Sequence, residues 1–421
     1  MTFWKPIVSA MLLLGLVCPD LSAQHTQLPN NGFERWPANT TDKSTTSVPE
    51  GWHSFSDNAG KYSSMSNTNS SARSTSHVKG SYSCKIIARH VNLLVYHVNA
   101  NGALTTGQMI VNSTSPTNDG NYIFSDVKNQ YGHKAAYSFT GRPDSVSIWV
   151  KFERSSTNGP NKERSFKATF KAHLHTNVPY KDVPSHTMSV PQTGKVGNVY
   201  GEMASPNSST TTTYTTSWKK FAFPFVYYDA DNKVIANPTL GNTTAPTHIL
   251  ASFSTNKKNG GGCYKDALFI DELWCRYNKK LSYMRVGGYE LSAPELAALN
   301  AEAYASADGD GANTGGVATY IFPEPITGET FPIVYAEAES GLIRGIETLH
   351  QASRVEPYTE LRVEHNDGSY YTFIVRFSDL RCAMCDVRNN VLSLKVFRLT
   401  SNVSGLTVRT SAGTSCRRVQ G

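Results

Sequence analysis

Apolar and polar residues alternate with a period of two through most of this chain. In SVSIWVKFE (145–153), Val146, Ile148, Val150 and Phe152 point one way, while Ser147, Trp149 and Lys151 point the other. In FKATFKAHLHT (166–176), Phe166, Ala168, Phe170, Ala172 and Leu174 alternate with Lys167, Thr169, Lys171, His173 and His175. FAFPFVYY (221–228), THILASFST (247–255) and ALFIDELWCRY (267–277) behave alike. Short alternating strands separated by Gly, Asn, Pro and Ser predict an all-β chain built from antiparallel sandwiches with one buried face per sheet. One helix competes, over 292–305, where Ser292 and Glu295 have capping-box spacing ahead of an Ala/Leu-rich run.

A boundary is expected just past Tyr277, where polar Asn278-Lys279-Lys280 ends one pattern and Leu281 starts another. Downstream, Asn366-Asp367-Gly368 between two alternating runs predicts a hairpin, and VLSLKVFRL (391–399) predicts one more strand. DGDGANTGG (308–316) imitates a calcium loop, but Asn313 and Thr319 stand where an EF-hand needs Gly and Glu, so a loop is expected.

The first 23 residues read as a secretory leader: one lysine, an apolar run from Ile7 to Val17, then small residues ending at Ala23. Cys18 suggests a lipoprotein, but Val17 precedes it where a lipobox has a small residue. No later stretch reaches the roughly 18 apolar residues of a membrane-spanning helix. The expected location is therefore periplasmic, outer-surface or secreted. Net charge is +7 over 421 residues, with no basic block, which excludes a nucleic-acid arm. Only 17 % of residues are charged, a composition suited to exported β-proteins. Past the leader stand Cys84, Cys263, Cys275, Cys382, Cys385 and Cys416. Six thiols would fit three disulfides, and their spacing sets no connectivity. Cys382-x-x-Cys385 lacks the second ligand pair that zinc needs.

Several ordered pieces then carry a resemblance: NGFERW, PEGWHS, GSYSCKI, GALTTGQ, GRPDSVSIWVKF, TSWKKFAFPFVY and YKDALFIDELWCRY. Residues 27–277 resemble the Bacteroidetes family called "putative carbohydrate metabolism domain", and also resemble jelly-roll, galactose-binding-like carbohydrate-binding modules. Residues 282–420 resemble the cadherin-like or immunoglobulin-like sandwich that accompanies such proteins, through LSYMRVGG, FPIVYAEAE and EHNDGSYYTFIVRF. The resemblance implies an exported protein that meets polysaccharides or oligosaccharides, alongside other cell-surface glycan-utilisation proteins. It also implies that the Asn-Gly-Phe-Glu segment partners the late Ile-Asp-Glu strand. There Glu34 and Asp271 would share a structural calcium through hard oxygen ligands, or else accept backbone N–H bonds with no metal. Trp36 and Trp52 are expected to pack over the sandwich edge.

For glycan binding, a pyranose offers a flat C–H face to an aromatic ring and hydroxyls to planar or charged groups. Trp149 lies on the polar side of its strand, and Lys151, Lys171, His173 and His175 are expected to share that side as one concave face. A covering loop over Trp149 is the competing reading. Tyr62, Tyr122 and Tyr131, in polar loops, are further platforms. A glycoside hydrolase would need two carboxylates roughly 5–10 Å apart. Asp144, Glu153, Asp229, Asp266, Asp271 and Glu272 are available, with no pair standing out. No nucleophile elbow, phosphate loop or zinc-protease motif occurs. Non-catalytic glycan recognition leads; a hydrolase and a purely structural adhesin are the alternatives.

Overall fold

A computed structural model describes residues 26–37, 48–66, 68–93, 96–126, 135–155, 167–176, 178–185, 192–204, 214–261, 263–307, 315–328 and 330–378. The chain is all-β: antiparallel strands dominate, and the longest helix among the described residues is Ala293–Ser306. The leader, Tyr131, most of the 308–316 loop, the 391–399 strand and Cys382, Cys385 and Cys416 lie outside the described residues.

Two sheets pack face to face. The front sheet runs Tyr214–Thr215, Ser145–Arg154, Ala267–Arg276, Ser83–Ile87, Ser71–Ser74, with Lys219–Pro224 also on Ser145–Arg154. The back sheet runs His53–Ser54, Ala103–Thr105, His248–Ser254, Lys167–His175, Lys195–Ala204, Val226–Tyr227. Val146, Ile148, Val150 and Phe152 from the front meet Ala168, Phe170, Ala172 and Leu174 from the back in one core. Each fully buried Val, Leu, Ile or Phe contributes roughly 1.5–3 kcal/mol, so this stripe-on-stripe contact selects the strand register.

The late front-sheet strand changes parity midway. Leu268 and Ile270 point into the core, and so do Leu273 and Cys275. An extra residue at Asp271-Glu272 makes this possible: the pairing jumps from Trp149↔Asp271 to Ser147↔Trp274, and Glu272 takes a left-handed φ of 48°. The N-terminal segment docks on this bulge. Leu273 N donates to Asn31 O at 2.9 Å, and the Gln27 amide brackets the Cys275 backbone at 2.8 and 2.9 Å. The Asn-Gly-Phe-Glu segment thus meets the late strand, with Phe33 fully buried.

A third layer, the strands Tyr180–Asp182, Asn121–Ser125 and Gln108–Val111, lies as a flap over the outer side of the back sheet. Its Tyr180 ring stacks on His175 at 4.5 Å between centroids.

Past residue 280 the strands form separate sheets. One is Tyr289–Glu290, Leu281–Val286, Val334–Ala338; the other is Gly316–Ile321, Tyr370–Arg376, Tyr358–His365, Ile343–His350. The helix closes their core with Leu299 and Ala303, and its Asn300 side chain bonds both backbone groups of Leu281 at 2.8 and 2.9 Å. Its start follows the capping-box spacing: the Glu295 carboxylate accepts from Ser292 N and Oγ at 2.8 and 2.6 Å. The Asn366–Gly368 turn forms the expected hairpin, with Gly368 at φ 82°.

Cys84 and Cys275 are free thiols sealed in the first core, where burial pushes both upward, Cys275 to about 12. Among the described residues neither takes part in a disulfide, which departs from a set of three bridges.

Candidate functional site

The outward side of the front sheet presents Trp149 and Trp274, both half-buried. Their neighbours in sequence (Ile148 and Val150, Leu273 and Cys275) fill the core, so strand pleating turns both indoles outward. The bulge brings them to the same face, on adjacent strands: Trp149 pairs with Asp271, and Trp274 with Ser147. On its other side Trp149 pairs with Lys220. Trp274 Nε1 donates to Glu272 Oε2 at 3.0 Å, and Arg276 Nε donates to Ser147 Oγ at 2.7 Å. Beyond Trp274 an open groove of about 620 Å³ runs along Asn31, Gly32, Glu34, Arg35 and Tyr137.

The residues expected on one concave face do not share one. Trp149 and Lys151 face outward from the front sheet, whereas Lys171, His173 and His175 face outward from the back sheet. The expectation is corrected for a simple reason: inward stripes that meet in one core send their alternate residues in opposite directions. His173 and His175 are buried, at 3 and 0 % exposure, because the flap covers them. Tyr180 Oη lies 3.3 Å from His173 Nδ1, and Lys171 pairs with flap residue Asp182. Lys151 is also committed. It bonds Ser76 Oγ and sits over the Phe269 ring at 4.1 Å, and burial lowers its pKa.

Of the tyrosines, Tyr62 is half-buried with Lys61 over its ring at 5.3 Å. Tyr122 packs edge-on against Phe124 and lines a cleft beneath the flap. Trp52 is a core residue whose Nε1 donates to Pro29 O at 2.8 Å, and Trp36 packs on the core rim.

Glu34 and Asp271 serve one loop. Asp271 Oδ2 accepts from Val78 N at 2.6 Å and Lys79 N at 3.3 Å, while its Oδ1 accepts from Glu272 N at 2.8 Å. Glu34 accepts from Ser81 N and Tyr82 N at about 3 Å. These N–H donors take up lone pairs on both carboxylates, which matches backbone capping, the second of the two readings. Burial pushes the Asp271 carboxyl up to about 6, against the downward pull of its three amide donors and with a smaller upward push from Glu272.

The remaining hydrolase candidates are engaged as well. Glu153 pairs with Lys85 at 2.8 Å and Asp266 with Arg154 at 3.1 Å. Asp229 holds a turn through Asp231 N and Lys233 N. Asp144 accepts from Asn278, Ser340 and His365.

Sequence reasoning missed Trp274. The signal was the parity slip itself: Ile270 and Leu273 can both face inward only if a residue is inserted between them, which turns Trp274 outward.

No family model matches the chain, and no curated protein matches it. Among solved structures, one from Bacteroides thetaiotaomicron described as a "putative glycoside hydrolase" is similar at a TM-score of 0.36 and 13 % identity. The match covers 54 % of this chain and 63 % of that one, a likeness too loose to transfer an activity.

Proposed function

We propose that this chain is an exported, non-catalytic glycan-binding protein, with a jelly-roll module over about 27–277 and an immunoglobulin-like module after it. The supporting observation is the pair of outward indoles, Trp149 and Trp274, on one face of the front sheet. An outward Trp contributes little to the core, and two on neighbouring strands offer the stacking surface that a chain of pyranoses uses. Lys220 and Arg276, on the two strands that flank Ser145–Arg154, supply charged donors for hydroxyls. The carboxylates that a hydrolase would need are already bonded to structural partners, which favours recognition over turnover.

A glycan array followed by calorimetry on the hit tests this reading. Trp149→Ala and Trp274→Ala should each weaken binding about tenfold, equivalent to about 1.4 kcal/mol, with little change in melting temperature. A reducing-sugar assay on the same ligand should stay flat. Turnover of that ligand, or full affinity in both variants, would overturn the proposal.

A further inference from the structure

Beneath the flap lies a cleft of about 220 Å³, lined by no residue of the front sheet. Its two walls differ in chemistry. The floor is the outer side of the back sheet, where pairing of Thr169 with Ser254 and of Lys171 with Ser252 sets three hydroxyls and an ammonium in one block. The roof is mostly apolar, with Val111, Ile123 and Val183 beside Tyr122 and the amide of Asn121. Between them Asp182, 4 % exposed, reaches down to Lys171.

Each class of ligand meets this pair differently. An anion would face the buried Asp182 carboxylate, and a cation would face Lys171. A wholly apolar ring would strip water from Lys171 and the hydroxyls without replacing their hydrogen bonds. A neutral polyol suits both walls. An ammonium only donates and a carboxylate only accepts, whereas a hydroxyl does both, so adjacent hydroxyls can bridge a Lys–Asp pair. The volume falls below the roughly 300–1,000 Å³ of drug-sized pockets, which limits the occupant to one ring.

We infer that this cleft is a second binding site that takes a single neutral pyranose, with its C–H face under Val111, Ile123 and Val183. Its hydroxyls lie on Lys171, Asp182, Thr169 and Ser252. The inference stands apart from the tryptophan face, because it uses no front-sheet residue.

The test titrates the full chain with D-glucose, D-galactose, D-mannose and L-fucose by saturation-transfer NMR and calorimetry, with benzyl alcohol as the apolar-ring control. At least one monosaccharide should bind. Its affinity should fall tenfold or more in the Thr169→Val/Ser252→Ala double variant, which removes hydroxyls at nearly constant shape. Ile123→Trp, which fills the cleft from the roof, should abolish binding and covers the case in which the double variant fails to fold. Trp149→Ala/Trp274→Ala should leave monosaccharide affinity unchanged. The inference falls if none of the four sugars binds, if benzyl alcohol binds in their place, or if sugar affinity survives both cleft variants. Loss only in the tryptophan variant would also overturn it, while supporting the outer platform.

Discussion

His365, fully buried in the second half of the chain, holds its Nε2 3.0 Å from Oδ2 of Asp144 in the first half. Asn366 N donates to His365 Nδ1 at 2.9 Å, so in the neutral ring Nε2 carries the proton and donates to Asp144. The same carboxylate accepts from Asn278 N at 2.7 Å and Ser340 Oγ at 2.5 Å. Beside it, Asn366 and Arg142 exchange two bonds at 2.9 and 3.0 Å, and Leu342 inserts into the first core. The hairpin turn of the second half is therefore also its docking element.

Asp144→Ala leaves the His365, Ser340 and Asn278 donors without their acceptor. A buried donor left unsatisfied costs about 1–3 kcal/mol. The variant should unfold at lower urea and be cleaved faster by protease near 278–280. An unchanged urea midpoint would mean that the joint contributes no stability.

Lys279 titrates within that joint. The residue is 1 % exposed, and its ammonium donates to Tyr277 O at 2.9 Å and Ser369 Oγ at 2.8 Å. Burial pulls its pKa down to about 8, with Asp367 and Asp144 resisting. The folded state therefore binds fewer protons than the unfolded chain between pH 8 and about 10.4, and stability attributable to this group rises with pH across that window. Relative to the wild type, Lys279→Met should lose that alkaline rise in urea unfolding measured at several pH values.

Asp271 works in the opposite direction. Its folded pKa of about 6 lies above the unfolded value of about 3.9, so the fold holds a proton that the unfolded chain has released. Stability from this group falls as pH climbs from about 4 to 6 and stays reduced above that. The unfolding free energy of wild type minus that of Asp271→Asn should therefore fall over the same window. A difference that is flat with pH would show that the amide caps cancel burial, and one that rises with pH that they outweigh it.

Gly80 holds the capped loop at φ 74°, and a Cβ there would sit 2.1 Å from Glu34 Oε1. Gly80→Ala should destabilise by about 1–2 kcal/mol from the left-handed backbone alone, and by more through the displaced Glu34 cap. Excess EDTA should leave the melting temperature unmoved, since N–H donors hold both carboxylates. A downward shift would restore the calcium reading.

Much of this architecture follows from local pattern. Period-two alternation at 145–153 and 167–175 is enough to place inward stripes, because pleating leaves each side chain only two directions. Ser292 with Glu295 and Asn366-Asp367-Gly368 act within four residues of chain, so the helix start and the hairpin are legible too. The fate of the outward residues is not local. Trp149 stays half-open because its side of the front sheet leaves it partly exposed, whereas His173 and His175, on an equally polar stripe, are sealed by Tyr180 from a flap. Which outward stripe is covered depends on where another segment folds back, and alternation carries no record of that. The same holds for Asp144 and His365, 221 residues apart, which meet only because two separately formed sheets dock.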